Sequence, residues 1–139
     1  LNNHELGQLV LSPTRTYAPI IKEIFKIHKK DICGMVHCTG GGQTKILHFI
    51  DDLHIYKNNM FTVPPIFDLL KKESDIPWKE MYKVFNMGHR MELYVQEDIA
   101  NSIISIANSF NVDAQIIGYV EKSQKKKLTI KSPDGIISY

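Results

Sequence analysis

The sequence predicts an α+β fold, a mixed β-sheet covered by amphipathic helices. Three observations carry that prediction. Several stretches, residues 97–111 most clearly, repeat apolar side chains at helical spacing. Others, such as 91–96, alternate apolar and polar residues as a half-buried strand does. The two kinds of stretch succeed one another along the chain, with no internal repeat and no low-complexity linker, so one domain over residues 1–139 is expected.

Residues 1–12 carry a short apolar patch, Leu9-Val10-Leu11, which reads as a lead-in adding an edge strand and ends at Ser12-Pro13. Thr14 or Thr16 then caps a helix over 16–29. Its stripe is Tyr17, Ile20, Ile21, Ile24, Phe25 and His28, and Pro19 sits in the first turn, where its missing N–H costs little. A strand over 32–38 leads into a glycine turn and a short helix over 45–50. A second strand, 53–56, is ended by Lys57-Asn58-Asn59. Val63-Pro64-Pro65 starts a helix with Ile66, Phe67 and Leu70 on its apolar face. Pro77 opens another, whose face of Trp78, Met81, Tyr82 and Phe85 reads as core. Gly88 is placed as that helix's left-handed C-cap. On the strand 91–96, Met91, Leu93 and Val95 are expected to face inward and Glu92, Tyr94 and Gln96 outward. A helix over 97–111, a strand over 114–120 and a hairpin through Asp134-Gly135 complete the chain.

Seventeen basic and fifteen acidic residues leave a net charge of +2, too balanced to argue for a nucleic-acid or anionic-membrane partner. Lys125-Lys126-Lys127 reads as a solvated loop. No apolar run reaches the roughly 18 residues that span a bilayer. Cys33 and Cys38 lie at odd separation on one predicted strand, hence on opposite faces, so reduced thiols and a cytoplasmic location are expected. The first residue is Leu1, which fits a fragment of a longer chain.

The chemistry concentrates at His37-Cys38-Thr39-Gly40-Gly41-Gly42-Gln43-Thr44. Three glycines between a strand and a helix let the backbone approach a ligand closely, and helix-start amides suit an anion such as phosphate. The alternative is a tight turn with no ligand. The spacing is not that of a Walker loop, and no cysteine–histidine set has metal-ligand spacing, so no metal ligand is assigned. Acidic pairs such as Asp51-Asp52 read as helix-end charges.

Taken together, Pro13-Thr14-Arg15-Thr16-Tyr17, His37-Cys38-Thr39-Gly40-Gly41-Gly42, Val63-Pro64-Pro65-Ile66-Phe67 and Glu80-Met81-Tyr82-Lys83-Val84-Phe85-Asn86-Met87-Gly88 are specific. In that order they resemble the C-terminal domain of phosphoribosylformylglycinamidine cyclo-ligases, the aminoimidazole ribonucleotide synthetases. The resemblance runs over residues 6–117. It implies a ligase of purine biosynthesis that closes the imidazole ring of formylglycinamidine ribonucleotide with ATP and Mg²⁺. It further implies that an N-terminal half supplies most ATP and metal groups and a homodimer interface, with substrate in the cleft between halves. The isolated chain is then expected to be inactive.

On that resemblance the substrate and phosphate contacts are Arg15, Thr39, Gly40, Gly41, Gly42, Asn86 and Gly88, with His37 a weak candidate base. Arg15 stands beside a helix start, where a cation opposes the dipole, and that local cost points to use on an anion. Two positions depart from the family pattern. Cys38 replaces an apolar residue, and His89-Arg90 replace an apolar residue and glycine. A non-catalytic anion-binding α/β domain remains the alternative, as does a selenophosphate-synthetase-like or formylglycinamide ribonucleotide amidotransferase-like relative.

Overall fold

The computed structural model describes residues 3–11, 13 and 15–139, with residues 3, 4, 6 and 9 described by backbone alone. Among the described residues, twelve elements follow one another. They are helix α1 (Asn3–Val10), helix α2 (Ala18–His28), strand β1 (Ile32–His37), a 3₁₀ helix (Gly42–His48), strand β2 (Leu53–Lys57), helices α3 (Pro65–Glu73) and α4 (Trp78–Val84), strand β3 (Met91–Val95), helix α5 (Glu97–Ser109), and strands β4 (Gly118–Lys122), β5 (Lys127–Ser132) and β6 (Gly135–Ser138).

The strands form two sheets. β1 and β3 pair antiparallel, with a bulge between Ile32 and Gly34. The second sheet runs β4-β2-β5-β6, and it is mixed: β2 lies parallel to β5, while β2–β4 and β5–β6 are antiparallel. Its inward residues Ile55, Leu128 and Ile130 meet Met81 and Tyr82 of α4, Ile46 of the 3₁₀ helix and Val36 of β1 in the main core. On the other side of the small sheet, Leu93 and Val95 pack against Ile20 and Ile24 of α2 and Ile103 and Ala107 of α5. The small sheet is therefore covered on both faces. The aromatic face of α4 is core, as its periodicity predicts.

Several expectations are corrected. The expected edge strand at Leu9-Val10-Leu11 is the end of α1 and a turn residue. Thr14 lies outside the described residues. Thr16 Oγ1 accepts the Ala18 N–H at a loose 3.5 Å, and α2 starts at Ala18 with Pro19 in its first turn. The helix after the glycines is a 3₁₀ segment that begins at Gly42 itself, three residues earlier than expected. The strand expected over 114–120 is β4, which shares only 118–120 with that span and runs on to Lys122, and 112–117 reach it as irregular chain. The β5–β6 hairpin turns on Pro133-Asp134, with Gly135 (φ 124°) already paired to Ser132. Gly88 does not cap α4: that helix ends at Val84, and Phe85 is extended (ψ 151°).

Candidate functional site

The first glycine turn leaves the end of β1. Cys38 N–H donates to Arg90 O (2.9 Å), which extends the β1–β3 ladder by one bond, and Thr39 N–H donates to His37 O (2.8 Å). Gly41 takes the left-handed conformation (φ 93°), and its carbonyl accepts both the N–H (3.1 Å) and the hydroxyl (2.9 Å) of Thr44. Lys45 reaches back along the same turn, its Nζ donating to Thr39 Oγ1 at 3.1 Å. The three glycines differ in what they permit. A Cβ on Gly42 would lie 2.5 Å from Phe85 O and 2.6 Å from Tyr82 O, so the end of α4 packs directly on that backbone. A Cβ on Gly40 would meet nothing within 4 Å. Among the described residues, the exposed Gly40 and Gly41 N–H groups have no hydrogen-bond partner.

The second turn is Asn86-Met87-Gly88-His89. His89 N–H donates to Asn86 O (2.9 Å), and Met87 (φ 52°) and Gly88 (φ 89°) are both left-handed, as in a type I′ turn. Asn86 Oδ1 accepts the Gly88 N–H (2.9 Å), which leaves its side-chain NH₂ free among the described residues. Gly88 is required twice over, by its φ and by Pro64 Cγ, which would lie 2.8 Å from a Cβ there.

A buried polar network joins the two turns. Lys57 and Glu92 form an ion pair at 2.5 Å, with 1% and 3% of their side chains exposed. Lys57 Nζ also donates to Gln43 O (3.0 Å) and Gln43 Oε1 (2.9 Å), so its three protons are all used. Gln43 Nε2 in turn donates to Asn86 O (2.6 Å) and His89 O (3.3 Å). Tyr94 OH donates to Glu92 Oε2 (2.8 Å). No side-chain N or O buried among the described residues lacks a partner.

Burial sets the protonation around this network. His89 is held down to about 4, first by burial and then by Lys57, with Glu92 opposing. Its Nε2 accepts the Phe61 N–H at 3.0 Å, so the ring is neutral with its proton on Nδ1. Burial and then the Glu92 carboxylate push the Cys38 thiol up to about 12, which makes it a packing group and not a thiolate nucleophile. Tyr94 is raised for the same two reasons.

The structure therefore brings Thr39, Gly40, Gly41, Gly42, Asn86 and Gly88 onto two adjoining turns. His37 stands at the rim, exposed, its ring edge-on to Tyr17 at 6.4 Å. Arg15 goes elsewhere in its one recorded bond: Nη1 donates to Asn111 O (3.0 Å), just beyond the end of α5, where a cation suits the dipole. Of the departing pair, His89 turns inward, and Arg90 offers its carbonyl to Cys38. The reading of Glu92 as outward and of Lys57 as a strand-ending loop residue is overturned, because each is the other's buried partner.

Gln43, Lys45, Lys57 and Glu92 are the residues that sequence reasoning missed. A signal existed for two of them. Lys57 continues the inward alternation Leu53-Ile55-Lys57, and Glu92 sits within a paired strand, so two opposite charges fell at positions that can face one core. One cleft, of about 710 Å³, is lined by Asn58, Thr62, Asp68, Lys131 and Ser132 among others. Phe61, whose N–H bonds His89, lines it, and neither glycine turn does. The unpartnered donors, the Gly40 and Gly41 N–H groups and the Asn86 amide, lie on the turns. No three His, Cys, Asp or Glu side chains among the described residues converge as metal ligands.

Residues 1–131 match the family described as AIR synthase related protein, C-terminal domain. The chain belongs to that family. It is 35% identical over 118 residues to the phosphoribosylformylglycinamidine cyclo-ligase of Methanocaldococcus jannaschii, covering 85% of this chain and 34% of that protein. The enzyme of the same name from Carboxydothermus hydrogenoformans is 34% identical over 125 residues, covering 87% of this chain and 35% of that one. The chain thus spans about a third of the length of the curated relatives it matches. Among solved structures, E. coli HypE, a hydrogenase maturation protein, superposes with a TM-score of 0.63 at 17% identity. That match covers 90% of this chain and 39% of HypE, and it shows a shared fold alone.

Proposed function

We propose that this chain is the substrate-binding C-terminal domain of an ATP-dependent phosphoribosylformylglycinamidine cyclo-ligase. The observation that carries the reading is the pair of exposed, unpartnered N–H groups at Gly40 and Gly41 beside the Lys45 ammonium. Preorganised amides next to a cation form an oxyanion cradle that needs no side-chain rearrangement. The 3₁₀ helix is too short for its dipole to matter, so these amides and Lys45 hold the anion. Thr39 Oγ1, already bonded to Lys45, adds a hydroxyl to the cradle.

In this reading the cradle takes the phosphate of the ribonucleotide. The free Asn86 amide donates to a substrate amide or ribose hydroxyl, while Gly42 and Gly88 keep the backbone walls close. Arg15 is a second anchor for the anion, using guanidinium protons that Asn111 leaves free. His37 at the rim is the candidate base. Ring closure asks that the formyl oxygen be phosphorylated, becoming a leaving group, and that the amidine nitrogen then attack. The domain contributes by orienting the substrate and excluding water. ATP supplies the phosphoryl group. No three His, Cys, Asp or Glu side chains converge among the described residues, so in this reading the N-terminal half supplies most of the magnesium ligands. ATP, the metal, the N-terminal half, a homodimer and a cytoplasmic setting belong to the same reading.

Gly40→Ala tests it in a protein that carries both halves. The added methyl meets no protein atom, so the fold should be unchanged while KM for the ribonucleotide rises at least tenfold. An unaltered KM would remove the substrate from this turn.

A further inference from the structure

A buried ion pair is a poor way to gain stability. Desolvating two charges costs about as much as their attraction returns, and a well-packed apolar pair of the same volume often does as well or better. Lys57 and Glu92 are nevertheless almost wholly buried, with all three Lys57 protons and both Glu92 oxygens bonded within the protein. What distinguishes the pair is where its bonds lead. Lys57 stands at the end of β2, in the four-stranded sheet, and Glu92 in β3, in the two-stranded sheet. Both remaining protons of Lys57 go to Gln43, directly after the first glycine turn. The Gln43 amide delivers both of its protons to carbonyls of the second turn, Asn86 and His89. Without Gln43, the backbone bond from Cys38 to Arg90 is the only recorded hydrogen bond tying the two turns to one another among the described residues. Removing Lys57 leaves the Gln43 amide free to rotate away.

We infer that Lys57 and Glu92 are positioning residues for the substrate: acting through Gln43, they fix the separation and facing of the two turns that form the site. The inference rests on the site reading above and deepens it. Tyr94 completes the device by holding the second Glu92 oxygen, which stops the carboxylate from swinging off Lys57. A ligand that spans both turns, with its phosphate on Gly40 and Gly41 and a polar group on Asn86, is sensitive to small displacements of one turn against the other. Binding is therefore where the brace is felt.

The test uses the protein carrying both halves and the triple variant Lys57→Met/Glu92→Met/Tyr94→Phe. It replaces the polar members with apolar groups of similar volume and leaves no buried charge unpaired. The expected result has two parts. Hydrogen exchange in peptides spanning 38–45 and 85–91 becomes at least tenfold faster, with β5 and β6 unchanged. KM for the ribonucleotide rises about tenfold, with kcat within threefold of the parent. A purely structural pair would shift the melting temperature and leave KM alone. Unchanged exchange at the two turns overturns the inference. Gly40→Ala separates it from the site reading. If Gly40→Ala raises KM and the triple variant does not, the positioning role alone falls. If neither raises KM, the substrate is not on these turns and both readings fall. Should the triple variant fail to fold, Gln43→Met carries the same test, since it cuts the link to Asn86 and His89 while keeping the ion pair. Native KM and native exchange in Gln43→Met would likewise overturn the brace.

Discussion

Lowering the pH from 7 to 5 should weaken this domain through His89. The ring is buried, and its Nε2 accepts the Phe61 N–H at 3.0 Å, so a proton added at Nε2 would face a donor that cannot turn away. Burial dominates the depression to about 4 from 6.5; Lys57 adds to it and Glu92 works against it. The folded pKa lies below the unfolded one, so the unfolded chain binds the proton first. The neutral ring's contribution is complete above pH 6.5 and is lost as pH falls toward 4. At about 1.4 kcal/mol per pH unit, the whole effect is about 3 kcal/mol, of which about 2 kcal/mol is gone by pH 5. A urea m-value of about 1–3 kcal/mol/M turns that into a midpoint shift of roughly 1 M. The assay compares urea midpoints at pH 7 and pH 5 for the parent and for His89→Gln, whose amide oxygen still accepts from Phe61 but does not titrate. Taking the difference cancels every other titrating group, His54 included. The glutamine variant should lose about 2 kcal/mol less than the parent over that interval. Equal losses in the two proteins would refute the assignment of a neutral, acceptor His89.

Four further outcomes are expected. Gly42→Ala should cost at least about 2 kcal/mol in a denaturant titration, since its methyl would sit 2.5 Å from Phe85 O at a left-handed φ of 49°. Gly40→Ala should be within about 0.5 kcal/mol of the parent in the same titration, which separates a packing glycine from an open one. Met81→Ala should cost about 2–5 kcal/mol by thermal or urea unfolding, because Met81 is fully buried beneath the four-stranded sheet. Arg15→Lys keeps the charge but loses the planar fork, so KM for the ribonucleotide should rise several-fold; native kinetics would leave Arg15 with the Asn111 carbonyl as its role.

Much of this molecule was determined by local pattern in the sequence. The stripes of α2, α4 and α5 and the alternation in β3 follow from the 3.6- and 2-residue periods of helix and strand, which depend on near neighbours only. The three glycines and Asn86-Met87-Gly88 were legible as turns because positive φ leaves few choices of residue. The family followed from four motifs in a fixed order. Tertiary structure decided the rest. Nothing local makes the end of Gly42 a landing place for α4, so its packing role appears only when the Tyr82 and Phe85 carbonyls arrive. Leu9 to Leu11 carried too short a pattern to separate strand from helix. Glu92 was read as solvent-facing because a carboxylate is costly to bury alone; its partner, Lys57, lies 35 residues away on another sheet. Pair energies of that kind are set by a distance of a few ångströms in space, and the order of residues along the chain does not contain it.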